Sequence, residues 1–295
     1  MAKRRPPSVN GFVVIDKPAG MTSHDVVAKL RKRFNEKRVG HAGTLDPDAT
    51  GVLLVGVGYV TRLMTYLSGM SKSYVGEVVL GSTTTTLDDS GETTATFDMS
   101  AVMLADVEAA ASRFVGEIEQ IPPMVSALKV DGKRLHELAR EGIEVERKAR
   151  HITIHSLSVA PTAEPHVFSI DVTCSSGTYI RALARDLGEA LGVGGHLTAL
   201  RRTAAGTFTL EDAIPLPSDD QRVQVTPLTT VLEREYHVVR LNAEQSGRVR
   251  HGMRIPATDA AGGLCGLIAD DGQLIALSEA VDGVWKHHAV FNEMV

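Results

Sequence analysis

Gly40-His41-Ala42-Gly43-Thr44-Leu45-Asp46-Pro47-Asp48-Ala49-Thr50-Gly51 sets one carboxylate, Asp46, in a segment dense in glycine, threonine and proline. That composition breaks helix and strand and favours a loop. The apolar run Val52-Leu53-Leu54-Val55 follows at once and reads as a buried strand over residues 52–57. Loops carried on rigid strands are where binding and catalytic side chains concentrate. Asp46 therefore has two readings: it opens a turn before Pro47, or it is the reactive group of a site.

Outward from this loop the chain alternates short strands and helices. Residues 11–16 read as a strand that ends at Lys17-Pro18. Thr22 or Ser23 caps a helix whose apolar stripe, Val26, Val27 and Leu30, runs through about Phe34. Residues 61–67 and 105–114 read as helices and 74–80 as a strand, while 81–96 form either a surface loop or the ends of two strands. Residues 151–159 and 167–174 read as adjacent strands, followed by a helix over 179–191 and strands over 197–202 and 207–210. The irregular order and hairpin-length connections predict an α+β fold with a mixed, mostly antiparallel central sheet and flanking helices. Residues 215–220 mark a composition shift, and short β-like segments follow at 238–241, 264–269 and 273–277. The expected division is a main domain over 1–225 and a small β-rich domain over 236–295. Residues 122–150 read as an insertion: a Pro-Pro turn, a strand over 127–130, a turn at Asp131-Gly132 and a basic helix over 133–140. Leu135 and Leu138 give that helix little apolar surface, so it is either a protruding arm or a surface hairpin.

The chain has 295 residues, 43% hydrophobic and 23% charged, which suits a globular protein with a substantial core. Its net charge of -5 counts against a generic nucleic-acid binder, yet the basic residues cluster. Lys29, Arg31, Lys32, Arg33, Lys37 and Arg38 precede the Asp46 loop; a second cluster spans 129–150; Arg181, Arg185, Arg201 and Arg202 form a third. Each is either a solvated face or a patch for phosphates. Cys174 and Cys265 have no partners at metal-ligand spacing, and Cys174 reads as a packed thiol in a strand. His155, His166, His287 and His288 have no metal-site spacing, and no P-loop pattern occurs. The basic start is followed by no long apolar segment, so neither a signal peptide nor a membrane span is expected, and a cytoplasmic location is.

Read as Gly-His-x-Gly-x-Leu-Asp-Pro-x-Ala-Thr-Gly, the Asp46 stretch resembles the catalytic-aspartate motif of the TruB-type pseudouridine synthases, stand-alone bacterial enzymes acting on the transfer-RNA T-loop. Five further motifs resemble that family in order. They are Asp16-Lys17-Pro18-Ala19-Gly20-Met21-Thr22-Ser23, Ser73-Tyr74, Ile121-Pro122-Pro123-Met124-Val125-Ser126-Ala127-Leu128-Lys129, Gly177-Thr178-Tyr179-Ile180-Arg181 and Leu200-Arg201-Arg202-Thr203. The resemblance implies the pseudouridine synthase fold with a PUA-like C-terminal domain, and an RNA-gripping role for the 122–150 insertion. It implies a cofactor-free, metal-free isomerisation of uridine 55 to pseudouridine after the base is flipped out. The partner is then the tRNA T-arm, with no guide RNA, and the protein is expected to be a monomer.

The same resemblance assigns roles. Asp46 becomes the catalytic carboxylate, with three open possibilities: attack on the base, attack on C1′, or removal of a sugar proton. Arg181 becomes its ionic partner, the alternative being an arginine on a helix surface. Tyr74 becomes the stacking platform and a candidate base for the C5 proton, although an ordinary tyrosine is a poor base at neutral pH. Tyr179 and Leu200 shape the base pocket, or are plain packing residues. His41 holds the displaced RNA, or is a local hydrogen-bonder, and Lys17 supports the active-site loop. Asp48, a second nearby carboxylate, is expected to face away. The competing reading is a nonenzymatic tRNA-folding factor using the same cleft.

Overall fold

A strand that is apolar at every position must be covered on both faces. In the computed structural model, which describes residues 7, 9–126, 129, 130, 133–135, 138, 141, 143, 145–218, 221–257 and 262–291, strand β3 (Thr50–Val57) is covered in this way. Leu53, Val55 and Val57 enter one core with helices α1 (Ser23–Phe34), α3 (Leu104–Ser112) and α4 (Ile180–Ala190). Val52 and Leu54 enter a second core on the opposite face, with α2 (Met64–Leu67) and α5 (Leu228–Glu235).

Around β3 lies a ten-stranded mixed sheet. Strands β1 (Gly11–Lys17) and β2 (Val39–Ala42) pair antiparallel with it. On its other side β12 (Gly195–Ala205) runs parallel through only two register pairs, Arg201 with Thr50 and Arg202 with Gly51. From β12 the sheet continues antiparallel through β4 (Lys72–Leu80), β11 (Val167–Cys174), β10 (Arg150–Pro161) and β7 (Gly116–Gln120). Two short strands, β13 (Phe208–Thr209) and β14 (Ile214–Pro215), finish it, the latter parallel to β1. The fold is thus α+β with a mixed, mostly antiparallel sheet, as the element order predicts.

Helix α1 starts at Thr22, which accepts from the Asp25 amide at 3.1 Å while the Asp25 carboxylate accepts from the Thr22 amide at 2.9 Å. This reciprocal box satisfies two otherwise orphaned donors. Residues 81–96 contain the ends of two strands, β5 (Ser82–Thr84) and β6 (Thr93–Thr96), joined by a loop in which Leu87 has φ of 63°. In the insertion, β8 (Lys129–Val130) and β9 (Lys133–Arg134) form a hairpin, so the helix predicted from 133 begins instead near Leu135. Leu135 and Leu138 are helical and buried; most of the remaining predicted turn and helix lies outside the described residues.

Beyond α5 a second sheet forms, with β15 (His237–Leu241), β16 (Leu264–Ala269), β17 (Leu274–Val281) and β18 (Val284–Val290) in that order. Its own core includes Val249 of helix α6 (Ala243–Arg250), Ile255, Leu267, Ile275 and Trp285. Its other face, through Ile268, Leu274, Leu277 and Phe291, joins Phe12 and Val14 of β1 in the second core. Arg62 Nη2 donates to the Val290 carbonyl at 3.1 Å, and its guanidinium lies 4.8 Å from the centre of the Phe291 ring. Among the described residues no helix is long and apolar enough to cross a membrane.

The tightest point of the main sheet is Gly51, at φ of 101°, where a Cβ would lie 2.1 Å from the Arg202 carbonyl oxygen. A Gly51→Ala variant must part β3 from β12 and adopt a left-handed backbone. It is expected to lose about 3 kcal/mol or more of stability in urea unfolding.

Candidate active site

The Asp46 loop is fastened on both sides of the carboxylate. Lys17, at the end of β1, is fully buried, and its Nζ donates to the carbonyls of Pro18 at 2.8 Å, Met21 at 2.5 Å and Pro47 at 2.8 Å. Ser23 Oγ accepts from the Leu45 amide at 2.9 Å and donates to the Leu45 carbonyl at 3.2 Å. On the far side Arg202 donates from Nε to the Val52 carbonyl at 2.7 Å and from Nη2 to the Gly43 carbonyl at 3.1 Å. Burial lowers the Lys17 pKa to about 8, with Asp48 and Asp46 pulling the other way.

Arg181, in the first turn of α4, is 5% exposed and spends its planar fork on four acceptors. Its Nε meets Asp46 Oδ2 at 2.9 Å, and Nη1 meets the Thr86 carbonyl at 2.9 Å and Asp88 Oδ2 at 3.4 Å. Nη2 donates to the Val125 carbonyl at 2.9 Å. Asp88 is itself oriented, because Oδ1 accepts from Thr86 Oγ1 at 2.6 Å and Ser90 Oγ at 2.5 Å, leaving Oδ2 toward the arginine. Gln120, at the end of β7, grips the residue before the helix. Its amide accepts from the Tyr179 N–H at 2.8 Å and donates to the Tyr179 carbonyl at 3.2 Å, as a neighbouring strand would.

Asp46, Tyr74, Tyr179, Arg181 and Leu200 line one cavity of about 310 Å³. His41 and Lys17 do not line it: Lys17 sits beneath the loop, and the His41 ring meets His24 edge-on at 5.4 Å. Asp48 is exposed and outside this cavity. Burial raises the pKa of the Tyr74 hydroxyl, with Arg202 opposing, and burial likewise raises that of Tyr179. Burial lowers the His41 imidazole to about 4, and the charges of His24 and Arg202 act in the same direction. Among the described residues no group of three or more His, Cys, Asp or Glu side chains could hold a metal ion.

Four contributors were not singled out from the sequence: Lys72, Asp88, Gln120 and the buried role of Arg202. Strand periodicity carried a signal for two of them. Lys72 precedes Tyr74 by two positions and Arg202 follows Leu200 by two, so each pair shares a strand face. In the sequence Arg202 reads as part of a basic run, either a solvated face or a patch for phosphates, yet it is completely buried.

The profile of the TruB family pseudouridylate synthase N-terminal domain matches residues 31–180. That of the tRNA pseudouridylate synthase B C-terminal domain matches residues 181–220, which here form α4, β12 and the strands that close the main sheet. A protein from Thermobifida fusca called tRNA pseudouridine synthase B is 47% identical, over 96% of this chain and 98% of its own. One of the same name from Mycobacterium leprae is 46% identical, over 89% of this chain and 88% of its own. Among solved structures, a chain from a Cbf5-Nop10-Gar1 complex superposes with a TM-score of 0.73 and 27% identity, covering 95% of this chain and 84% of that one. A chain from an H/ACA RNP bound to a substrate RNA containing 2′-deoxyuridine gives a TM-score of 0.69 and 26% identity, over 97% and 84%.

Two expectations follow from the supports of the loop. Lys17→Met strands three carbonyls, each worth about 1–3 kcal/mol if left unpaired, so a stability loss of at least about 2 kcal/mol is expected in urea unfolding. His41, with an ordinary value of 6.5 and a folded value of about 4, stays neutral in the fold while the unfolded chain takes up a proton. The His41 contribution to stability should therefore fall as pH drops from 6.5 toward 4 and level off below, and the His41 ring resonances should titrate near 4.

Proposed function

This chain belongs to the TruB family of pseudouridylate synthases, and from that membership we propose that it isomerises uridine 55 in the tRNA T-loop to pseudouridine. The observation that carries this reading is the ion pair of Asp46 with Arg181 at 2.9 Å, set in a cavity walled by Tyr74, Tyr179 and Leu200. A carboxylate and a guanidinium fixed before substrate arrives need little reorganisation when charge develops on sugar and base.

A stacked uridine does not reach such a carboxylate, so the target base is flipped into the cavity, at an unstacking cost of a few kcal/mol offset by contacts in the pocket. Tyr74 then stacks on the base and Tyr179 and Leu200 bound it, while Asp46 faces C1′ and the sugar. Tyr74 is a weak base as it stands, because burial disfavours the phenolate. His41, held neutral at the edge of the loop, meets the displaced RNA by shape and hydrogen bonding rather than by charge. We read residues 1–225 as the catalytic domain, its insertion at 122–150 as a grip on the T-arm, and residues 236–295 as a PUA-like module. The protein acts as a cytoplasmic monomer without guide RNA.

The test uses a T-loop stem-loop transcript tritiated at uridine C5, with no added cofactor or metal. Wild-type protein is expected to release tritium and form pseudouridine at position 55. Asp46→Asn keeps shape and most RNA contacts but removes the carboxylate, and should lower the rate by about 10³-fold or more while RNA affinity stays within a few-fold. Tight binding with no tritium release from wild type would instead favour the nonenzymatic folding factor.

A further inference from the structure

Resting on the reading that a uracil base occupies the cavity, we propose that Arg202 and Lys72 form a cationic wall that stabilises the negative charge on the base while it is detached from its sugar. Both side chains line the cavity, and both are buried, Arg202 at 0% exposure and Lys72 at 7%. Arg202 spends Nε and Nη2 on the Val52 and Gly43 carbonyls, but its Nη1 is buried without an acceptor. Lys72 Nζ donates to the Ser68 carbonyl at 3.0 Å and the Met70 carbonyl at 2.7 Å, which leaves one of its three protons unspent.

The two cations are neighbours. A Cβ built on Gly43, at φ of 85°, would lie 3.1 Å from Lys72 Cε and 3.5 Å from Arg202 Nη1, so the Asp46 loop packs directly on both. Among the described residues neither forms an ion pair with a carboxylate, whereas Arg181 faces two. The acids beside them do not supply the missing charge: burial pushes the Cys174 thiol up to about 11 and raises the Tyr74 hydroxyl. Burial, reinforced by Arg202, lowers Lys72 to about 8. Two adjoining buried cations with spare donors and no counter-charge are unfavourable in an empty site. They are complementary to an anion placed between them and Asp46.

The reaction supplies such an anion. When the C1′–N1 bond breaks, its electron pair leaves with the base, and the charge spreads over N1, O2 and O4. The electron deficit at C1′ is met by Asp46, either through a new C1′–O bond or by taking the 2′ proton. The base then turns and C5 donates an electron pair to C1′, while the C1′–O bond to Asp46 breaks or C2′ takes its proton back; the C5 proton then departs and N1 gains a proton, so no atom is added or lost. The charge exists only between the two bonds. Donors that meet it accelerate the step without tightening substrate binding.

The test is a single-turnover measurement at saturating stem-loop RNA carrying uridine or 5-fluorouridine at the target, read as loss of the N1-linked nucleoside after digestion. Lys72→Met carries it, because Arg202 also anchors Val52 and Gly43 and its truncation threatens the fold; Arg202→Lys is the companion variant. Lys72→Met is expected to slow uridine turnover by about 10²-fold with unchanged RNA affinity. The loss should shrink below about tenfold with 5-fluorouridine, whose base leaves as a weaker, less demanding anion. Equal losses on both bases, or a loss confined to affinity, would show that Lys72 only shapes the loop and would overturn the proposal. An inactive wild type would remove the functional reading itself, an outcome distinct from an active wild type with indifferent variants.

Discussion

The contact of Gly51 with the backbone of Arg202 is the constraint from which the site is built. It is where two halves of the sheet meet, through a parallel pairing only two register pairs long. A side chain at residue 51 has no room there. Because β3 approaches β12 so closely, the loop just before β3 lies against the Arg202 side chain on one flank and above Lys17 on the other. Asp46 is thereby held by its neighbours Gly43, Leu45 and Pro47 while its own carboxylate stays about half exposed. The loop is rigid where it is attached and open where it faces the cavity.

Charge is distributed unevenly around that opening. Arg181 is saturated, with two carboxylates and two carbonyls on one guanidinium. Arg202 and Lys72 are buried to a similar degree and, among the described residues, have carbonyl partners but no carboxylate. The first arrangement fixes geometry before a ligand arrives. The second leaves electrostatic work undone until one does. A protein of net charge -5 thus concentrates positive potential in the one place where the sheet, helix α4 and the loop converge.

Much of this was legible in the chain. The apolar run after Gly51 gave a buried strand, a cap at Thr22 or Ser23 gave the start of α1, and alternation gave β4 and β11. The residues between 81 and 96 were ambiguous because threonine, glycine and aspartate suit a turn and a short strand equally well. Helices α5 and α6, each eight residues long, were missed, being too short for periodicity to declare itself against the surrounding loop. In the site, the residues of the loop motifs could be placed from the family resemblance those motifs carry. Gln120 and Asp88 could not, since each acts on a residue tens of positions away and only the sheet brings them together. Arg202 was misjudged for a related reason: an arginine beside another arginine looks like a surface patch until strand alternation assigns one of them inward.

The second core has a consequence for how the protein is made. The core that Phe12 and Val14 enter also takes in Ile268, Leu274, Leu277 and Phe291, and Arg62 reaches Val290 across 228 positions of chain. A ribosome adding about 5–20 residues per second therefore presents Phe12 and Val14 tens of seconds before the core they share is complete. Throughout that interval the nascent protein carries an incompletely packed apolar core, and its completion waits on residues 268–291. The tail completes a core shared with the main sheet, which makes the order of synthesis part of the folding problem this sequence has to solve.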